Sequence, residues 1–298
     1  MATESTVGSV SGIWLFPVKS MQGQRIEQAD FTAGGLVGDR SYALIDKESG
    51  KVASAKSVRL YPDLFNCRAA FVEQPQSGAE LPPVEITLPD GSTVRSDAGD
   101  VDQVLSASLG RDVTLANAAP DDFTIDMYHP DIEGADPRGR TGTVAEQKLG
   151  SAFFAEAGME SPVDAGAFFD LFPLTLLTTS TLNKLTQLQP GSDFDERRFR
   201  MNVIIDTDEA GFVENDWLDR GLMLGDSMQI HVTMPDTRCV MTTLAQDDLP
   251  KDNDIMRALV QHNRLQVADA GRFPCAGVYA VVQTPGSLRV GDSVTLIN

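Results

Sequence analysis

Short apolar runs broken by turn signals fill residues 1–120, and they constrain the fold more than any other feature of the chain. Val10–Val18 is an apolar run closed by Pro17 and a polar stretch. Arg40–Ile45 leads into Asp46-Lys47-Glu48-Ser49-Gly50-Lys51, a hairpin-like turn. Phe65–Val72, Val84–Leu88 and Ser92–Arg95 read as further strands, with Pro89-Asp90-Gly91 turning between the last two. Val101–Leu109 has helical spacing and stops at Gly110, a residue suited to the left-handed position that ends a helix. Strands this short and this frequent predict a barrel or sandwich, not a doubly wound sheet.

Residues 117–143 change character, with Pro120, Asp121, Asp122 and then His129-Pro130-Asp131 through Arg138-Gly139-Arg140. Such a stretch reads as a linker or a long functional loop. Beyond it, Leu174–Leu177 predicts a buried strand running into Thr178-Thr179-Ser180-Thr181 and a helix over Leu182–Leu188. Met201–Ile205, Met228–Val232 and Gly277–Val282 read as core strands, Asp254–Asn263 as a helix, and Val290–Leu296 as a closing hairpin-like strand. The expected division is 1–120 and 121–298, in a chain of 298 residues. The expected class is β-rich α+β: a barrel-like first domain with one helix, then a mixed β-barrel with peripheral helices.

Composition narrows the function. With 43 acidic and 24 basic side chains the formal charge is −19. A general nucleic-acid binder or anionic-membrane binder needs a basic surface, so both classes are excluded. No run approaches the roughly 18 apolar residues of a membrane helix. Met1–Thr6 does not have the pattern of a secretory signal, so a cytoplasmic protein is the default expectation. Three cysteines (Cys67, Cys239 and Cys275) and three histidines (His129, His231 and His262) are too scattered for a disulfide framework, a four-thiolate site or an HExxH centre.

The chemistry must therefore come from few residues. Cys239 sits in Pro235-Asp236-Thr237-Arg238-Cys239-Val240-Met241-Thr242-Thr243, where Arg238 could hold the thiol as a thiolate. The alternative is a small buried hydrophobe. Three places supply anion-binding groups: Lys19-Ser20 after the first strand, Arg40 after Gly38-Asp39, and Thr178-Thr179-Ser180 before a helix. Hydroxyls there serve equally as a helix cap or as part of a phosphate cradle. Arg197-Arg198-Phe199-Arg200 with Asn202 is a basic cluster in an acidic chain, with Asp193, Asp195 and Glu196 as ready ion-pair partners.

Taken in order, these segments resemble the MOSC family with its N-terminal β-barrel domain, the group that includes the mitochondrial amidoxime-reducing component. The first half carries Ile13-Trp14-Leu15-Phe16-Pro17-Val18-Lys19-Ser20-Met21-Gln22-Gly23 and Gly38-Asp39-Arg40-Ser41-Tyr42. The second carries Leu176–Leu182, Phe199–Val203, Thr237–Thr243, Ala276–Tyr279 and Pro285–Asp292. The likeness is weakest over about residues 75–140, and Thr237 stands where some members have serine.

The resemblance implies a molybdenum–molybdopterin cofactor with Cys239 as the catalytic thiolate on molybdenum. It implies that Lys19, Ser20 and Arg40 hold the pterin phosphate, that Thr178, Thr179 and Ser180 add hydroxyls, and that Arg200, Asn202, Thr237, Arg238 and Tyr279 complete the pocket. The activity implied is reduction of N-hydroxylated or N-oxygenated small molecules, with electrons from a separate donor protein. Three cysteines cannot build a four-thiolate cluster of the chain's own. A non-catalytic cofactor carrier and a Cys239 persulfide sulfur carrier are the rival readings, and pyridoxal phosphate binding is a further family-level implication. Asp216-Trp217 also matches the family, with core packing as its expected role. The pocket is expected where the two halves meet, because its cations come from both.

Overall fold

In the computed structural model, which describes residues 5–297, strands follow the turn signals closely. The first half holds β1 (Ser5–Leu15), β2 (Gln24–Ile26), β3 (Gln28–Thr32), β4 (Gly35–Leu36), β5 (Ala43–Asp46), β6 (Arg68–Phe71), β7 (Val84–Thr87), β8 (Thr93–Arg95), α1 (Val101–Leu109) and β9 (Val113–Ala116). Next come β10 (Thr124–His129), β11 (Thr143–Lys148), α2 (Gly150–Glu156), β12 (Leu174–Thr178), α3 (Thr179–Leu188), β13 (Val203–Asp206) and β14 (Gly221–Leu224). The chain finishes with β15 (Met228–Thr237), α4 (Asp254–His262), β16 (Arg264–Val267), β17 (Gly271–Thr284), β18 (Gly286–Arg289) and β19 (Ser293–Ile297).

Seven strands close a mixed barrel in the order β12-β13-β1-β19-β14-β15-β17, with β17 returning to β12. β12 and β13 run parallel. All five residues of β12 are buried, so it shows no alternation, as suits a strand covered on both faces. β1 lies between β13 and β19, while β18 pairs with β3. Each half of the chain thus lends a strand to the other. One apolar core runs through both, joining Ile13, Leu44, Ile86 and Leu105 to Leu174, Val203 and Val278. On the outside, Leu185 of α3 and Ile255 and Leu259 of α4 pack with Leu177 and Ile204. The β-rich class with a mixed barrel and peripheral helices is as the sequence predicts. Trp217 is buried in the core.

Local boundaries have local causes. α1 ends at Gly110 in the left-handed conformation, φ 65°. The Thr178 hydroxyl accepts from the Thr181 N–H at 3.2 Å, an N-cap; α3 therefore starts at Thr179, before the predicted Leu182. The 117–143 stretch is corrected in part: β10 and β11 form an antiparallel hairpin from Thr124↔Lys148 to His129↔Thr143, leaving 130–142 as its loop. No residue of β11 is fully buried and its sequence, Thr-Val-Ala-Glu-Gln-Lys, has little apolar content to signal a strand. Three register shifts interrupt β15 against β17, the last between Pro235 and Thr237. Such bulges re-aim the residues that follow, here Arg238 and Cys239. Among the described residues no helix is long and apolar enough to cross a membrane.

Glu214 ties the barrel to α3 from a fully buried position. Its carboxyl accepts from Thr178 Oγ1 at 2.6 Å, Thr181 Oγ1 at 2.7 Å and the Gly277 N–H at 3.1 Å. Gly277 cannot be replaced freely, because at φ 80° an added Cβ would lie 2.4 Å from the Leu176 carbonyl oxygen. Burial pushes the Glu214 carboxyl up against the pull of these hydrogen bonds. Burial therefore penalises the charged form, and the group's stabilisation is lost as pH rises through its folded-state pKa. Glu214→Gln keeps one acceptor oxygen for the three donors and should lose about 1–2 kcal/mol at pH 7, whereas Glu214→Ala orphans all three and should lose about 3 kcal/mol. Urea unfolding measures both, and equal midpoints for the two variants would contradict the assignment.

Candidate functional site

The end of β1 continues as Phe16-Pro17-Val18-Lys19-Ser20 and lies beside Gly38–Tyr42. Arg40 N–H donates to the Phe16 carbonyl at 2.8 Å, Tyr42 N–H to Pro17 at 3.0 Å, and Lys19 N–H to Tyr42 at 2.8 Å. Gly38 permits the turn: its φ is 86°, and a Cβ there would meet the Phe71 ring at 2.7 Å. Asp39 Oδ1 accepts from the Phe16 N–H at 2.9 Å. Its Oδ2 accepts from Asn202 Nδ2 at 2.9 Å and pairs with Arg40. Asn202 Oδ1 in turn accepts from Thr175 N–H and Oγ1 at 3.2 and 3.0 Å.

Two guanidiniums share one ring. Arg40 and Arg200 lie over Phe16 at 4.7 and 4.4 Å from its centroid. Arg40 Nη2 donates to the Arg200 carbonyl at 3.1 Å, and Arg200 Nη1 to the Met21 carbonyl at 2.5 Å. Burial, with Arg40 adding to it, brings Arg200 down to about 9.

Lys19 Nζ donates to the Phe168 carbonyl at 2.8 Å and to Asp170 Oδ1 at 2.5 Å, while Lys56 Nζ meets Asp170 Oδ2 at 2.6 Å. Burial lowers Lys19 to about 8 in spite of Asp170. At Lys56 burial is outweighed by Asp170 and Cys239, and the net direction is upward. Burial also works against an ionised Asp170, but the two ammoniums prevail and hold it well below the usual carboxylate range. Ser20 Oγ approaches Ser54 Oγ at 3.5 Å.

Beyond the β15 bulge, Arg238 Nη1 pairs with Asp236 Oδ2 at 2.6 Å and Nη2 donates to the Phe199 carbonyl at 2.5 Å. Its Nε is sealed from solvent and has no acceptor. Burial pushes Asp236 up even beside Arg238; Asp236 also takes the hydroxyl hydrogen bond of Tyr279, whose own pKa burial raises well above its usual value. Cys239 is a half-buried free thiol packed with Ala55, Phe65 and Met241. It lies within electrostatic reach of Lys56, Arg200 and Arg238.

The fold thus gathers Lys19, Ser20, Arg40, Arg200, Asn202, Arg238, Cys239 and Tyr279 into one neighbourhood, with Thr237 in the backbone that leads to Cys239. Of six non-glycine residues with positive φ among the described residues, Ser20, Arg40 and Arg200 are three, and strain of this kind collects at functional sites. Four members had no assigned role in the sequence. Asp39 and Asp236 adjoin the motifs already singled out, whereas Lys56 and Asp170 carry no local signal.

Thr178, Thr179 and Ser180 sit at the end of β12 and the start of α3, with partners of their own. Thr178 binds Glu214, Thr179 Oγ1 donates to Asp206 at 2.6 Å, and the Ser180 hydroxyl meets Thr207 at 2.5 Å and the Glu209 carbonyl. Ser180 also lines a cavity of about 210 Å³ beside Thr207–Gly211. A larger cavity of about 450 Å³ follows Val260–Leu265 and Arg272. None of the cations around Cys239 lines either cavity.

The MOSC N-terminal beta barrel domain model matches residues 7–112, and the MOSC domain model matches residues 166–295. The chain is 24% identical over 319 residues to mitochondrial amidoxime-reducing component 1 of Homo sapiens, covering 98% of this chain and 83% of that protein. It is 25% identical over 305 residues to mitochondrial amidoxime reducing component 2 of Homo sapiens, covering 97% and 83%. Among solved structures, the YUAD protein from Bacillus subtilis aligns over 100% of this chain and 99% of that one, with 10% identity and a TM-score of 0.45.

Asp170→Asn removes the one carboxylate that Lys19 and Lys56 share. A third of the Asp170 side chain stays exposed, so the expected loss at pH 7 is about 2–3 kcal/mol, below the full cost of breaking a buried pair. The folded-state pKa of Asp170 lies below its unfolded value of 3.8. Its stabilisation is therefore complete above 3.8 and is lost progressively as pH falls from 3.8 towards the folded-state pKa. The gap in unfolding free energy between wild type and variant, read from urea unfolding, should hold steady from pH 7 to about pH 5 and begin to narrow only below about pH 4; a gap that widens on acidification would rule this account out.

Proposed function

The chain belongs to the MOSC-domain family, with the MOSC N-terminal beta barrel domain ahead of the MOSC domain, and on that footing we propose that it is an oxidoreductase working with a molybdenum–molybdopterin cofactor. The proposed substrates are N-hydroxylated or N-oxygenated small molecules, in keeping with the amidoxime-reducing names of its relatives. A separate protein would donate the electrons.

The observation that carries this reading is the gathering of Lys56, Arg200 and Arg238 around the half-buried thiol of Cys239, with Lys19 beside Lys56 and Arg40 beside Arg200, in a chain of charge −19. Three carboxylates, Asp39, Asp170 and Asp236, are interleaved with them, which leaves two positive charges unbalanced. An anionic guest supplies that balance and an acceptor for the orphaned Arg238 Nε. Among the described residues no three His, Cys, Asp or Glu side chains gather as a metal site. One soft thiolate among cations and hydroxyls is a donor set that would fit the molybdenum–molybdopterin group the family resemblance implies.

In this arrangement Cys239 would hold molybdenum. Lys19, Ser20 and Arg40 would take the pterin phosphate, and Arg200, Asn202, Thr237, Arg238 and Tyr279 would line the remainder. Thr178, Thr179 and Ser180 have hydroxyl partners within the protein, so any contribution from them would come through backbone N–H groups at the start of α3. When bound, the cofactor supplies two-electron chemistry with oxygen-atom transfer. The chain's own residues orient and enclose: Asp39 fixes Arg40 and Asn202, the Phe16 ring underlies two guanidiniums, and the Tyr279 hydroxyl donates a hydrogen bond to Asp236 beside Arg238. A bare sulfur carrier has no use for Lys19, Arg40 and Arg200 together, and pyridoxal phosphate has none for the thiol.

Protein purified after cofactor reconstitution should contain molybdenum and pterin in near-equal amounts to chain. Cys239→Ala should lose most of the metal while its urea midpoint moves by no more than about 1 kcal/mol. Absence of both molybdenum and pterin from reconstituted wild type would falsify the assignment. Turnover of an N-hydroxylated amidine with a chemical reductant then separates a reductase from a carrier.

A further inference from the structure

The cleft beside α4 and the β16–β17 hairpin is open to solvent, and its volume of about 450 Å³ falls within the size range of small-molecule sites. Its lining includes Val260, His262, Asn263, Arg264 and Arg272, and no acidic side chain. Gly134, in the β10–β11 loop, packs against Val260 and Arg264, where an added Cβ would come within 3.1 and 3.2 Å of them.

The two arginines are held in an unusual way. Arg264 Nη2 donates to the Arg272 carbonyl at 3.2 Å and Arg272 Nη2 to the Arg264 carbonyl at 2.7 Å, crosswise between paired strands. Neither forms an ion pair among the described residues, although the chain carries 43 carboxylates. Exposed arginines elsewhere do find them, as Arg95 does with Asp97 and Arg257 with Asp254. The Arg264 Nε is shut off from solvent and has no acceptor. Two like charges are thus fixed side by side, with one buried donor unsatisfied, at the wall of a cleft. An oxyanion in the cleft offsets the paired charge, because a guanidinium edge presents N–H donors in a fork that matches phosphate or carboxylate oxygens.

We propose that this cleft is a second ligand site, separate from the Cys239 cluster, that binds a small molecule through a phosphate or carboxylate group held by Arg264 and Arg272. The assignment does not depend on cofactor binding at Cys239.

The test is a titration of the full chain followed through the arginine Nε–Hε resonances, assigned by single Arg→Lys variants. Inorganic phosphate and succinate are the two probes, and sodium chloride at matched ionic strength is the control. The Arg264 and Arg272 signals should shift saturably with at least one probe, and which probe acts tells a phosphoryl ligand from a carboxylate one. R264Q/R272Q should weaken the same binding at least tenfold, measured by calorimetry, while R257Q leaves it unchanged. Cys239→Ala should leave the Arg264 response intact, which separates this site from phosphate captured by the Lys19 and Arg40 cluster. No saturable shift with either probe, or the same shift with sodium chloride, overturns the proposal even if the double variant does not fold.

Discussion

The Asp39 carboxylate gathers three segments remote in sequence: the Phe16 backbone at the end of β1, Arg40 beside it, and Asn202 at the edge of β13. It is nearly inaccessible to solvent, so each of those donors depends on it for a partner that water cannot supply. The same contact brings Arg40 and Arg200 over one phenyl ring, an arrangement that like-charge repulsion opposes. It persists because Asp39 offsets one charge, backbone carbonyls of Arg200 and Met21 accept from both guanidiniums, and the ring face attracts each. Ser20, Arg40 and Arg200 hold left-handed backbone, a conformation costing about 1–3 kcal/mol each that survives only where surrounding contacts over-determine it.

Those contacts come from the barrel's topology. β1 is the first strand of the chain yet lies between β13 and β19, so its end delivers Phe16 and Lys19 to the edge where β12 and β13 present Thr175 and Asn202. From the other side the bulge between Pro235 and Thr237 turns the chain before Cys239. Had the two strands kept regular register, alternation would have fixed where Arg238 and Cys239 point; the irregularity, with Ala276 and Gly277 of β17 opposite Asp236 alone, loosens that constraint. The site is a product of strand exchange between the halves, which is why no contiguous stretch of sequence contains it.

Much of the fold was legible because turn residues and helix stops act locally. Gly110 ends α1, and Pro89-Asp90-Gly91 separates β7 from β8, as the residues alone predict. The β10–β11 hairpin was not legible, since no residue of β11 is fully buried and its strand state rests on pairing, not on an apolar face. At the site, cations that stand out in an acidic chain were readable as candidates, and the fold brings Lys19, Arg40, Arg200 and Arg238 together. The hydroxyls of Thr178–Ser180 were ambiguous for a physical reason: a cap and a phosphate cradle use the same free N–H groups. Glu214, from a distant turn, settles where the Thr178 hydroxyl goes. Lys56 and Asp170 are isolated in sequence, and only three-dimensional pairing gives them a role.

A strongly acidic chain repels anions at long range, so binding them demands local fields built at short range. The two concentrations of positive charge achieve this differently. Around Cys239 the cations are interleaved with Asp39, Asp170 and Asp236, which offsets most of their mutual repulsion and leaves a modest positive surplus. At Arg264 and Arg272 no carboxylate intervenes, and the charge is bearable because the cleft is open to water on one side while backbone carbonyls pin the guanidiniums. The first arrangement suits the enclosed, long-lived occupant proposed above, with Lys19 and Lys56 fixed by Asp170. The second favours an occupant that comes and goes, because solvent and ions can replace it at little cost.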